Sequence, residues 1–192
     1  LLGRRLVDWV VRAARDAGVE RVVLVSSPDS ADQFGDVEVA VQPVPLGTGD
    51  AVKSARDALQ GAHGDVLVLN GDVPALRAET LHALVETHRR ENAAGTVLSF
   101  EPEDVRSYGR IVRDAEGHLA RIVEAADASP DELKLGEVNS GIYCFRADTL
   151  LQRRDIIALD DEYMTEWVTA DIAGQRETRM VIPDVDAGAA TL

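Results

Sequence analysis

Apolar and polar residues alternate between two patterns over the first hundred positions. Apolar residues recur at helical spacing from Leu2 to Ala17, and Gly18 is placed to end that helix. Short apolar runs without polar alternation follow, as expected of strands buried on both faces. The predicted strands are residues 21–25, 37–42, 65–70 and 95–100, with helices predicted at residues 50–60 and 79–90 between them. This alternation predicts an α/β fold with a mostly parallel sheet covered by helices on both faces.

The second half of the chain changes character. Two short apolar runs flank a turn at Gly117 in "YGRIVRDAEGHLARIVEA", which predicts a small β-hairpin insertion laid over a Rossmann-like sheet. Further strands are predicted at residues 137–145 and 179–183, and helices from residue 147 and over 162–173. Because no repeat, linker or low-complexity tract divides the sequence, we expect residues 1–192 to form one domain.

The order of elements also predicts a missing piece. In a doubly wound sheet the first strand lies near the middle, whereas this sequence opens directly on a helix. Without a central strand, two flanking strands would be unpaired along their length. We therefore expect an N-terminal segment that precedes Leu1.

Charge and composition exclude several classes of partner. The formal net charge of −14 is spread along the chain, which argues against binding DNA or RNA through clustered Lys and Arg. A small anion stays compatible, because backbone N–H groups or a metal ion can neutralise phosphate locally. A single cysteine forms no internal disulfide, and no apolar run approaches the ~20 residues that would span a membrane. We expect a cytoplasmic protein without membrane or nucleic-acid partners.

The stretch "LNGDVP" delivers Asn70, Gly71 and Asp72 to the carboxyl end of a predicted strand, where open α/β sheets bind ligands. A carboxylate there suits Mg²⁺, which binds through one or two carboxylates plus substrate phosphates. The alternative is that Asp72 caps the turn before the next helix.

The stretch "VQPVPLGTGDAV" ends another predicted strand at Gln42 and places Gly47, Thr48 and Gly49 before a helix. It lacks the lysine and the spacing of a P-loop. The glycines fit either an ordinary turn or a close approach by a ligand. The amide of Gln42 can donate and accept together, which suits a base edge as well as an exposed strand end. Glu124 and Asn139 also stand at predicted strand ends, where they suit sugar hydroxyls or an ordinary surface.

Together, "LGTGDAV", "VLNGDVP", "YGRIV", "IVEAADA" and "EVNSGIYCF" resemble, in order and spacing, one bacterial family. It is the N-terminal uridylyltransferase domain of the bifunctional UDP-N-acetylglucosamine pyrophosphorylase / glucosamine-1-phosphate acetyltransferases. The likeness is specific up to Phe145 and thin after Leu150. It implies the nucleotide-diphospho-sugar transferase fold, and an enzyme that makes UDP-N-acetylglucosamine and pyrophosphate from UTP and N-acetylglucosamine 1-phosphate.

The resemblance also implies roles for individual residues. Gln42 and the main chain of Gly47 and Thr48 would recognise uracil. Asn70, Gly71 and Asp72 would line the ribose and phosphate site, with Asp72 as the catalytic Mg²⁺ ligand. The amino sugar would be held by Gly109, Glu124 and Asn139, and its N-acetyl group framed by Tyr163 and Thr165 in "DEYMTE".

Three features of the family pattern are missing. A glycine-rich loop with an arginine and then Pro-Lys should precede Leu1. The asparagine that shares the metal near the C-terminus has no counterpart in "DVDAGAATL". The hexapeptide β-helix that would carry acetyl transfer, and through which the family would form a homotrimer, does not occur here. We therefore expect weak binding or no turnover from these residues alone.

These departures keep two alternatives open. One is a related sugar-1-phosphate nucleotidyltransferase with another base or sugar specificity. The other is a catalytically inactive module that binds sugar nucleotides.

Overall fold

The computed structural model describes residues 3–105, 107–152 and 180–181, and four helices and eight strands lie within them. The helices are α1 Leu6–Asp16, α2 Thr48–Ser54, α3 Ala78–Arg90 and α4 Ala147–Gln152. The strands are β1 Val23–Ser26, β2 Glu38–Val41, β3 Asp65–Val68, β4 Gly95–Phe100, β5 Arg110–Arg113, β6 Leu119–Val123, β7 Val138–Arg146 and β8 Met180–Val181.

Helix α2 is shorter than the pattern of apolar residues predicts. It ends at Ser54, whose hydroxyl donates to the carbonyl oxygen of Asp50 at 2.9 Å, an interaction that competes with the helical ladder. Tight turns continue to Gly61, which adopts a φ of +75°. The apolar spacing of residues 50–60 therefore marks an inward face that extends beyond the helix itself.

The sheets confirm an α/β fold but correct the prediction of a mostly parallel sheet. β1 and β2 form a two-stranded parallel sheet, and β4 pairs with β8 in parallel. In the larger sheet, β7 instead runs antiparallel to β3, β4 and β5. The reason is the connection after β4, which is a hairpin without a crossover helix, so the chain returns antiparallel beside β4.

The predicted hairpin is present at β5 and β6, joined by a turn in which Gly117 has a φ of +84°. It continues the larger sheet through the pairing of Arg110 with Val138 rather than only lying over it. Its apolar side chains still reach the core, because Ile111 and Ile122 pack with Phe145.

Alternation along the strands divides the core into two layers. Tyr143 and Phe145 of β7 face one layer, which α4 and the hairpin complete. Ile142 and Cys144 face the other layer, which α1 and α3 cover. Helices thus lie on both faces of the larger sheet, as predicted.

A cavity of about 1380 Å³ is lined by residues of β1 and of β3. Among the residues described, β1 pairs only with β2, and β3 only with β7. Both strands are half-buried throughout although their residues are typical of buried strands. One side of each strand therefore borders space instead of another strand.

A buried polar cluster lies at the start of β3, at the opposite end of that strand from Asn70. His88 is 1% exposed, and its Nδ1 is 2.8 Å from the hydroxyl of Thr96. Its Nε2 is 3.6 Å from a carboxylate oxygen of Asp65. Burial lowers the pKa of His88, and the neighbouring Arg146 and Arg89 lower it further against the attraction of Asp65.

Burial likewise raises the pKa of Cys144 to about 12. The thiol therefore stays protonated at neutral pH, as expected of a structural core cysteine.

The helix predicted at residues 162–173 and most of the strand predicted at residues 179–183 lie outside the described residues. In the described ranges, no helix is long and apolar enough to cross a membrane.

Candidate functional site

The segment after β2 contains the residues predicted to read a base. Gly47 precedes α2 with a φ of +106°, a backbone conformation that favours glycine. The Nε2 of Gln42 donates to a carboxylate oxygen of Asp50 at 2.9 Å and to the carbonyl oxygen of Gly47 at 3.3 Å. The end of β2 and the start of α2 are thereby tied together by side-chain contacts.

The large cavity brings together residues from two separate motifs. It is lined by Gln42, Gly47, Thr48, Asn70 and Gly71, among others. Two segments that are about 25 positions apart in sequence thus meet at one space. The side chains among these residues carry amide groups, at Gln42 and Asn70, and one hydroxyl group, at Thr48.

β3 ends at Val68, two residues before the predicted end of the strand, so Asn70, Gly71 and Asp72 follow it after Leu69. Gly71 packs close to α1, since a Cβ added there would lie 3.3 Å from a methyl of Val7. Asp72 is exposed. A carboxylate in that position is accessible to a solvated ligand.

Asn70 connects this region to β7. Its Nδ2 lies 3.4 Å from the carbonyl oxygen of Ser140, at an irregularity in the pairing of β7 with β4. Gly141 next to it has a φ of +72°, and an added Cβ would lie 2.5 Å from Nδ2 of Asn70. Backbone conformation and space therefore both favour glycine at 141.

The residues predicted to hold a sugar also meet one another. The N–H of Asn139 donates to the carbonyl oxygen of Gly109 at 2.8 Å. A Cβ added at Gly109 would lie 2.9 Å from Oε1 of Glu124, so that carboxylate approaches the bare main chain. The starts of β5 and β7 and the end of β6 thus converge.

Two buried side chains hold this cluster in place, and the sequence did not single them out. The Nδ2 of Asn139 donates to the hydroxyl of Tyr143 at 2.8 Å, and its Oδ1 accepts from the N–H of Gly141 at 2.9 Å. Arg110, which is 2% exposed, donates to the carbonyl oxygen of Tyr108. The signal for Tyr143 was its place four residues after Asn139, where a bulge brings the two together.

The site residues separate into two groups joined by Asn70. Gln42, Gly47, Thr48 and Gly71 border the cavity with it. Gly109, Glu124 and Asn139 lie together at the hairpin side. Tyr163 and Thr165 lie outside the described residues.

The fit of the residues to Mg²⁺ can be judged from their chemistry. In the described part of the chain, no three His, Cys, Asp or Glu side chains converge as a ready-made metal site. Asp72 offers one exposed hard oxygen donor. That fits an ion that keeps several waters and is also bound by substrate phosphates.

In open α/β folds, a cavity at polar strand ends is the usual place for a ligand. The chain matches the nucleotidyl transferase family over residues 1–167, and it belongs to that family.

Three similar proteins are each named bifunctional protein GlmU. That of Pelobacter propionicus is 42% identical over 97% of this chain and 43% of its own length. Those of Trichlorobacter lovleyi and Geobacter sulfurreducens are 40% and 41% identical, each over 96% of this chain and 42% and 41% of their own lengths. The chain therefore spans less than half the length of these relatives.

Proposed function

We propose that this domain transfers a uridylyl group from UTP to N-acetylglucosamine 1-phosphate, yielding UDP-N-acetylglucosamine and pyrophosphate. The observation that carries the proposal is the contact of Asn70 with the bulge of β7. It joins the cavity bordered by Gln42 and Gly47 to the cluster around Asn139. A nucleotide and a sugar bound at these two places would meet beside Asn70.

The reaction needs positioning more than a protein nucleophile. A phosphate oxygen of the sugar 1-phosphate attacks the α-phosphorus of UTP, and the bond from that phosphorus to the bridging oxygen of the β-phosphate breaks. Pyrophosphate leaves with the electron pair. Holding the two substrates in line supplies much of the acceleration in such transfers.

Individual residues have separate tasks in this proposal. Gln42 and the main chain at Gly47 and Thr48 bind the base, while Asn70 and Gly71 border the ribose and phosphates. Glu124 and Asn139 accept from and donate to sugar hydroxyls, and Gly109 leaves room for the ring. Tyr163 and Thr165 stay assigned to the N-acetyl pocket.

Asp72 would hold Mg²⁺ together with the substrate phosphates. When bound, the ion neutralises phosphate charge and stabilises the leaving pyrophosphate. The exposed position of Asp72 beyond β3 supports this assignment, because the carboxylate is accessible to a hydrated ion.

The borders of the cavity support a further proposal about the domain. One parallel strand seated between β1 and β3 would bury both half-exposed strands and give each a second neighbour. Residues 1–192 would then be most of one nucleotidyl transferase domain. A trimer formed through a second domain stays a prediction.

Pyrophosphate release tests the function, using UTP, N-acetylglucosamine 1-phosphate and Mg²⁺ with the protein at its full encoded length. Release that depends on both substrates is expected. Comparison with dTTP, GTP and CTP, and with other sugar 1-phosphates, separates this reaction from related transfers. UTP binding without any release would instead identify an inactive sugar-nucleotide module.

Replacement of Asp72 provides the sharpest variant. Asp72→Ala is expected to lower kcat by about 100-fold or more, because charge stabilisation in phosphoryl chemistry is lost, while the melting temperature stays unchanged. The matched control is Asp131→Ala, since the side chain of Asp131 is 91% exposed and forms an ion pair with Lys134, three residues away. If Asp72→Ala is as active as the control, Asp72 is not the Mg²⁺ ligand.

A further inference from the structure

Asp50 contacts the proposed base-reading side chain from behind. Its carboxylate accepts from Nε2 of Gln42 at 2.9 Å, and Gln42 lines the cavity while Asp50 does not. Asp50 lies in the first turn of α2, immediately after Thr48 and Gly49. It can therefore act on a bound base only through Gln42.

The surroundings decide which way the amide of Gln42 faces. The carboxylate of Asp50 and the carbonyl oxygen of Gly47 are both acceptors, so the amide nitrogen must face them. A rotated amide would place its oxygen against a negative charge and a carbonyl dipole. The oxygen Oε1 of Gln42 is thereby kept as the atom available to the cavity.

We propose that Asp50 is a positioning residue that sets the base specificity of this site by holding Gln42 with its carbonyl oxygen toward the base. The proposal rests on the proposed function, in which Gln42 contacts the base. Uracil and thymine present an N–H at ring position 3, which can donate a hydrogen bond to Oε1 of Gln42. Cytosine presents a lone pair at the same position, which that oxygen repels. Asp50 thus selects uridine nucleotides over cytidine nucleotides without touching either.

A purely structural role for Asp50 predicts a different outcome. An acidic residue in the first turn of a helix stabilises that helix through its dipole. Loss of that effect would lower stability but would change the use of UTP and CTP by the same factor. The ratio of the two nucleotides is therefore the readout that separates the roles.

The test compares Asp50→Asn with the wild-type protein. Asparagine is nearly the same size, but its amide can donate to Oε1 of Gln42, so the rotated state becomes accessible. In pyrophosphate release, the ratio of kcat/KM for UTP to that for CTP is expected to fall about tenfold, the size of one net hydrogen bond, mainly through KM. Asp50→Glu keeps an acceptor charge and is expected to restore most of the preference.

Asp57→Asn is the matched control. Asp57 also accepts from a glutamine amide, Nε2 of Gln60 at 3.1 Å, but this pair is exposed and does not line the cavity. Its UTP to CTP ratio is expected to equal that of the wild type. Circular dichroism checks folding of each variant, and Asp50→Ser replaces Asp50→Asn if the latter does not fold.

Calorimetric binding of UTP and CTP to the same proteins separates two kinds of failure. Wild type that neither binds nor turns over UTP would overturn the proposed function and the premise with it. If the wild-type protein prefers UTP and the ratio of kcat/KM for UTP to that for CTP is the same in Asp50→Asn, the role of Asp50 is overturned while the proposed function stands.

Discussion

The strands that border the cavity and the strands of the central core have similar composition but different burial. β1 reads Val-Leu-Val-Ser, yet all of its residues are half-buried. In β4 and β7, by contrast, Val97 and Phe145 are fully buried. The difference lies in their neighbours, since β7 pairs with strands on both sides and β1 with β2 alone among the described residues. The lower burial of β1 therefore reflects its single neighbouring strand among the described residues and not a more polar composition.

Truncation of one apolar side chain in each region gives the largest expected difference. Phe145→Ala should lower the free energy of unfolding by about 3–5 kcal/mol, since it empties a fully buried volume. Leu24→Ala in β1 should cost roughly 1–2 kcal/mol, because the side chain is half-buried beside the cavity. Urea unfolding of both variants measures the gap. Equal losses would show that β1 is as well packed as β7.

Glycine replacements test the junction between the two regions. Gly141 and Gly117 both have positive φ, but only Gly141 has a neighbour within 4 Å of an added Cβ, the side chain of Asn70. Gly117→Ala should cost about 1 kcal/mol from backbone strain alone.

Gly141→Ala should cost about 2 kcal/mol, since Asn70 must also move, and it should raise KM for both substrates. Melting and steady-state kinetics measure these effects. If KM changes as much in Gly117→Ala as in Gly141→Ala, the proposed link between Asn70 and the group of Gly109, Glu124 and Asn139 is contradicted.

The smallest expected effect is on the pH dependence of the free energy of unfolding, through the buried side chain of His88. Burial holds the pKa of His88 below its ordinary value of 6.5, so the unfolded chain takes up a proton at higher pH than the native protein does. The contribution of neutral His88 is complete above about pH 6.5 and is lost as the pH falls from there toward the pKa of the folded state.

His88→Gln should therefore flatten the pH dependence of the free energy of unfolding in that window. Urea unfolding at pH 5, 6 and 7 measures this change. If the pH dependence of the variant equals that of the wild type, burial does not oppose the protonation of His88 in the folded protein.

Much of the fold could be predicted from local pattern. The strand at residues 95–100 could be predicted from its run of apolar residues, and the turn at Gly117 from its turn-forming glycine. The direction of β7 could not be predicted, because the apolar pattern of a strand buried on both faces is the same in parallel and antiparallel pairings. The end of α2 coincides with Ser54, whose hydroxyl bonds back to the main chain, a contact that the apolar pattern does not indicate.

The candidate site was predicted as motifs, but its internal contacts were not. The convergence of Gly109 with Asn139 depends on the register of β5 against β7, which the local apolar pattern does not reveal. The pairing of Asp50 with Gln42 depends on the left-handed backbone of Gly47, which sets where α2 begins. Such contacts follow from tertiary geometry and leave no repeating pattern of apolar and polar residues in the sequence.

The most direct measurement of the central claim is an amide NMR titration of this protein with UDP-N-acetylglucosamine. Shifts are expected for the Gly47 and Thr48 amides on the cavity side and for those of Gly109 and Asn139 on the hairpin side, at one common affinity. The hairpin turn at Gly117 should not respond. Shifts confined to one group, or none in either group, would contradict a site that binds base and sugar on opposite sides of Asn70.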